Sequence, residues 1–138
     1  MTKRILVAVD GSENSYRAAE EAIQLADCHK GHLVDIVTVA NIHDAKDDIL
    51  RVGAAGLELE RRKKTQPVEE RCEEEGVAYE VNILHGEPAL EILRHAKETD
   101  ADFIVVGTQG KSPFKEMLVG SVSKQVIKKA ECSVVLVK

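Results

Sequence analysis

The run Gly107-Thr108-Gln109-Gly110-Lys111-Ser112, with Gly120-Ser121-Val122-Ser123 behind it, has the residue types and spacing best suited to a bound anion. Gly107 and Gly110 let a turn pass close to a ligand with no Cβ in the way. Gly120 does the same just before a predicted helix, whose predicted N-cap is Ser121. The Ser121 hydroxyl can donate to an anion instead of accepting from the helix backbone. The first turn, Val122-Ser123-Lys124, holds no Asp or Glu. Acids usually complement the positive end of a helix, so their absence leaves its N–H groups and dipole to an external anion. A plain strand–loop–helix connection with turn glycines explains the same spacing without a ligand. Asp10-Gly11-Ser12 is a second polar turn, placed directly after an apolar run.

Other chemistries fit less well. Gly110-Lys111-Ser112 resembles the tail of a P-loop, GxxxxGK[ST], but the position that needs the leading glycine holds Val105. No GxGxxG follows the first predicted strand, and the glycine-serine-aspartate cluster of adenylating PP-loops is missing. Cys28, His29 and His32 lie close together but straddle Gly31 at a helix end, and no second ligand pair follows at metal spacing. These histidines, with His43, His85 and His95, read as surface residues. Neither a GxSxG elbow nor a Cys/His nucleophile context occurs. Ser12 and Ser15 read as caps of the first helix. The three cysteines form no CxxC pair, which suits free thiols in a reducing compartment.

The elements that must position these residues alternate. Ile5–Val9 is continuously apolar, as in a parallel strand covered on both faces. A helix is predicted from Glu13 to Lys30, with a buried stripe of Ala19, Ala22, Ile23 and Ala26. Leu33–Val39 is the second strand. The polar stretch 41–75 predicts two helical pieces broken at Pro67, with a stripe through Ile49, Val52 and Leu57 and a solvated face over 58–64. Val77, Tyr79, Val81 and Ile83 alternate, as in a strand near a sheet edge. Gly86-Glu87-Pro88 opens a helix through Leu90, Ile92 and Leu93. Phe103–Val106 is the fourth strand, Ser121–Ala130 the last helix and Ser133–Val137 the last strand. Five strands separated by helices predict an α/β fold, an open doubly wound parallel sheet with helices on both faces, in a single domain over 1–138. Ligands of such sheets bind outside the carboxyl ends of the strands, where strand order reverses. Both polar turns follow predicted strands.

Composition narrows the partners. There are 19 Lys and Arg against 24 Asp and Glu, a formal net charge of −5, which offers no electrostatic footprint for nucleic acid. Aromatics are 3% with no Trp, too few for base-stacking platforms. The N-terminal apolar run stops at Asp10, too short for a membrane span or a signal core. A cytoplasmic location follows as the expectation, with no membrane partner. The last strand, Val134–Val137, is short and apolar and is guarded only by Lys138, so at a sheet edge it invites pairing with a second copy.

Gly107-x2-Gly110-x9-Gly120-Ser121 matches G-x2-G-x9-G-[ST], and on it the chain resembles the nucleotide-binding branch of the universal stress protein family. Ile5–Ser12, Gly86-x-Pro88, Asp102–Gly107 and Cys132–Val137 extend the resemblance over nearly the whole chain. It implies a Rossmann-like sheet in the order 3-2-1-4-5, which brings Asp10 and Gly107 together at the switch point. It also implies bound ATP, with Mg2+ as a candidate companion. Ala8 and Val39 would line the adenine pocket, and Asp10 would lie near ribose or adenine. Gly107, Gln109 and Gly110 would contact ribose and phosphates, and Gly120, Ser121, Val122 and Ser123 the phosphate tail. Gln109 departs from the Arg or His often found there, and Lys111 is the candidate replacement cation. The implied role is a homodimeric, ATP-binding regulatory or sensing module with little or no hydrolysis. The alternatives are a slow ATPase or nucleotidyl-transfer enzyme on the same fold, and a dimeric interaction protein that binds no nucleotide.

Overall fold

The computed structural model describes residues 3–28, 31–40, 42–108 and 120–138. Strands β1 (Arg4–Ala8), β2 (Leu33–Ala40), β3 (Ala78–His85), β4 (Phe103–Gly107) and β5 (Ser133–Val137) alternate with helices α1 (Glu13–Asp27), α2 (Ile42–Glu75), α3 (Pro88–Glu98) and α4 (Ser121–Lys129). The strands form one parallel sheet in the order β3-β2-β1-β4-β5. The central strand β1 pairs Ile5 with Val34 on one side and with Phe103 on the other. Strand order therefore reverses between β1 and β4, as the resemblance implies. Strands β3 and β5 occupy the edges.

Side chains of successive strand residues leave the sheet on opposite faces. Ile5, Val7, Val34, Ile36 and Val105 join Ala18, Ala22 and Ile23 of α1 and Val68 and Cys72 of α2 in one core. Leu6, Val37, Ile104 and Val106 join Ile92 and Ala96 of α3 and Val126 of α4 in the other. Each fully buried Ile, Leu or Val contributes roughly 1.5–3 kcal/mol. The alanine stripe of α1 lets that helix lie close to the sheet, and Ala18 and Ala22 have no exposed surface.

The predicted break at Pro67 is found instead at Gly53, whose φ of 76° leaves the helical region, while α2 continues through Pro67. Proline removes one N–H from the helical ladder. The carbonyl that loses its donor is that of Lys63; on either side of it Arg62 accepts from the buried Thr65 hydroxyl (3.1 Å) and Lys64 from the Tyr16 hydroxyl (3.0 Å). Burial of Val68 and Cys72 just beyond holds the helix to the sheet and pushes the Cys72 thiol up to about 11. The stripe residues Ile49 and Val52 lie outside the residues whose side chains are described. Leu57 is buried as predicted.

His95 is not the surface residue that its sequence context suggests. Its Nε2 lies 2.8 Å from Oδ2 of Asp35, a carboxylate with no exposed surface at the middle of β2. Arg4 of β1 donates to the same oxygen, and Asn82 of β3 donates to Oδ1 at 2.8 Å. Arg4 also reaches Glu80 at 2.8 Å. Burial disfavours the Arg4 charge, but its hydrogen bonds to Glu80 and Asp35 outweigh that and raise its pKa. The buried carboxylate thus has donors from three elements, which is what makes its burial tolerable.

Candidate functional site

A cleft of about 360 Å³ opens at the carboxyl ends of β1, β2 and β4, between the N-termini of α3 and α4. Ala8, Asp10, Val39, Gly107, Gly120, Ser121, Val122 and Ser123 all line it. Gln109, Gly110 and Lys111 lie outside the described residues. Sequence reasoning did not place Val37, Pro88 or Ile92 here, although Val37 adds to the floor on β2 and Pro88 and Ile92 of α3 line the wall. The signal was available: a helix opening at Gly86-Glu87-Pro88 after an edge strand must start on this side of the sheet. Of Ser12 and Ser15, read as caps, Ser12 is the N-cap of α1 and accepts from the amide of Ser15, which lies within the helix; both line the cleft.

One half of the cleft is apolar. Ala8, Val37 and Val39 form its floor and Ile92 its wall, which suits the flat face of a heterocycle. The Asp10 carboxylate stands at the rim. Its Oδ1 accepts from the Ser12 amide at 2.8 Å, and its own amide donates to the Ser15 hydroxyl at 3.3 Å. The exposed carboxylate keeps acceptor capacity for ligand hydroxyls.

The other half is built around the start of α4. Its N-cap is Gly120, not Ser121; Ser121 is the first helical residue. Among the described residues no side chain caps this end, and no acid stands in the first turn. The dipole and leading amides therefore face the cleft with no anion beside them among the described residues. Ser121 is exposed. The neighbouring wall is tightly packed. A Cβ on Gly107 would sit 3.0 Å from the Asn14 backbone, so α1 closes on the end of β4. Asn14 Nδ2 donates to Thr108 Oγ1 at 3.1 Å, and Ser123 Oγ donates to the Gly107 carbonyl at 2.6 Å.

A larger cavity, about 530 Å³, lies at the opposite end of the α3–α4 seam, with Leu90, Leu93, Ala101 and Ile104 along it and Lys97 and Glu131 at the rim. Those two rim charges already stand 3.8 Å apart. It lies away from the strand carboxyl ends, where an open α/β sheet concentrates backbone donors and helix N-termini, so the smaller cleft is the candidate site. Among the described residues no group of three or more His, Cys, Asp or Glu is placed to hold a metal, and no helix is long and apolar enough to cross a membrane.

Comparison with known proteins agrees with this architecture. The universal stress protein YxiE of Bacillus subtilis is 34% identical over 148 residues, covering all of both chains. The solved structure of protein MJ0577 of Methanocaldococcus jannaschii superposes with a TM-score of 0.85 at 28% identity, over 99% of this chain and 95% of that one. A universal stress protein of Archaeoglobus fulgidus, solved in complex with dAMP, gives 0.75 at 25% identity, over 100% and 98%. An Arabidopsis thaliana family member solved with AMP bound gives 0.70 at 26% identity, over 99% and 91%. The universal stress protein family model matches residues 1–138, and the chain belongs to that family.

Proposed function

We propose that the cleft binds an adenine nucleotide, ATP in the first instance, and that the chain is a nucleotide-dependent regulatory module with little or no hydrolysis. The observation that carries this is the convergence in one cleft of an apolar floor, a rim carboxylate and an uncapped, acid-free helix N-terminus. The base would lie on Ala8, Val37 and Val39, the ribose hydroxyls near Asp10, and the phosphate at the start of α4 beside Ser121. Family members solved with dAMP and AMP support the adenylate class. Asp10 is the one carboxylate among the described lining residues, and its place beside Ser12 suits ribose binding. Hydrolysis needs a positioned water and a base at the phosphate end, and no described lining residue there supplies one. Strand β5 is an edge with Leu136 exposed, which supports a homodimer formed by pairing two copies of that strand.

The experiment is mass spectrometry and absorbance on the ligand released by acid from freshly purified protein. Released adenine nucleotide supports the reading. Protein that releases none, and that shows no heat on titration with ATP or AMP at several magnesium levels, contradicts it and favours a dimeric interaction protein.

A further inference from the structure

The contacts around the start of α4 separate residues free to touch a ligand from residues already engaged. Ser123 is only 5% exposed, and its hydroxyl donates to the Gly107 carbonyl at 2.6 Å. A serine hydroxyl has one hydrogen. Phosphate oxygens are acceptors, so Ser123 Oγ cannot donate to one while it holds Gly107. The Gly120 amide is engaged too, donating to the Thr108 carbonyl at 2.6 Å. Thr108 is held from its other side by Asn14 Nδ2. Three hydrogen bonds, two of them at 2.6 Å, therefore tie the end of β4 to the starts of α4 and α1. The hydroxyl of Ser121, by contrast, is exposed and unpartnered among the described residues.

Resting on the nucleotide reading above, we propose that Ser123 is a positioning residue and not a phosphate ligand. Its bond to Gly107 sets the N-terminus of α4 against the carboxyl end of β4. Contact with phosphate falls to Ser121 and the leading amides of α4. A side chain that only stabilised the fold would leave ligand discrimination alone. This one fixes the phosphate-facing half of the cleft and not the base-facing half, so its loss separates AMP from adenosine.

The test compares wild type with Ser123→Ala, Ser123→Thr and Ser121→Ala, by thermal unfolding without ligand and by calorimetric titration with AMP and with adenosine. Ser123→Ala is expected to lower the ligand-free Tm by a few degrees. It is also expected to weaken AMP about tenfold while adenosine stays within about twofold. Ser123→Thr keeps the hydroxyl and restores both readouts. Ser121→Ala weakens AMP and leaves the Tm in place. Weakened AMP binding by Ser123→Ala with an unchanged Tm would make Ser123 a direct ligand and overturn the proposal. A lowered Tm with unchanged AMP binding would make it purely structural and also overturn it. Wild type that binds neither compound overturns the nucleotide reading itself, and this proposal with it. If the alanine variant does not fold, Ser123→Cys, whose thiol is a weak donor, is read in the same assays with the same expectations.

Discussion

Single residues set the shape of the cleft, and glycines do so for two different reasons. Gly107 has no space for a side chain, because Asn14 backbone atoms stand 3.0 Å from its would-be Cβ. Gly107→Ala is expected to cost about 1–3 kcal/mol by forcing α1 away from β4, read as a lower midpoint in urea unfolding. An unchanged midpoint would mean that α1 moves freely there. Gly120 has φ −61° and ψ 160°, a backbone that any residue adopts, so its conformation does not demand glycine; on the proposed nucleotide reading its value is room for phosphate. This half of the site was legible in the sequence because glycine spacing and a missing acid are local signals. Ser123 was legible as a candidate residue of the cleft, which it lines, but its bond to Gly107 was not, since that depends on how α4 docks against β4. The wall formed by Pro88 and Ile92 was hidden because a helix face becomes a pocket wall only after the sheet order is known.

The elements were legible where hydrophobic period and turn residues agreed. Strands β1 and β4 read as buried because both faces are apolar, and they are. Helix α2 was misread because a proline inside a helix is a strong local signal, whereas the packing of Val68 and Cys72 in the core, which holds the helix just beyond it, is tertiary. Asp35 and His95 were missed because their contact spans 60 positions. Between α1 and α2, Arg71 binds Glu20 and also Glu74 and Glu75. The Arg71 hydrogen bond holds the Glu20 carboxyl below its ordinary 4.5, despite the opposing effect of burial. A depressed carboxylate contributes stability above its unfolded pKa and loses it as pH falls through the folded value. Arg71→Met is therefore expected to be less stable than wild type at pH 7, with the gap in Tm closing as pH drops below 4.5. A gap that stays constant down to pH 3, about the foot of carboxylate titration, would contradict this.

At the scale of the whole molecule, the proposed nucleotide cleft lies at the strand carboxyl ends and the proposed pairing edge is β5. Val135 packs into the core with α1, so a charge there would strike the fold; Leu136 is exposed on the same strand. Leu136→Asp is expected to shift a dimer to monomers in light scattering while leaving the free energy of unfolding within about 1 kcal/mol of wild type. A dimer that survives it uses another surface. The proposed adenylate site makes the sharpest demand on this cleft. Calorimetric titration of wild type and Gly120→Val with AMP and ATP tests this most directly, because the branched side chain enters the phosphate path without straining the backbone. Binding by wild type and a loss of at least about 100-fold in the variant, at an unchanged Tm, is the expected result. Equal affinity in the two proteins would contradict it.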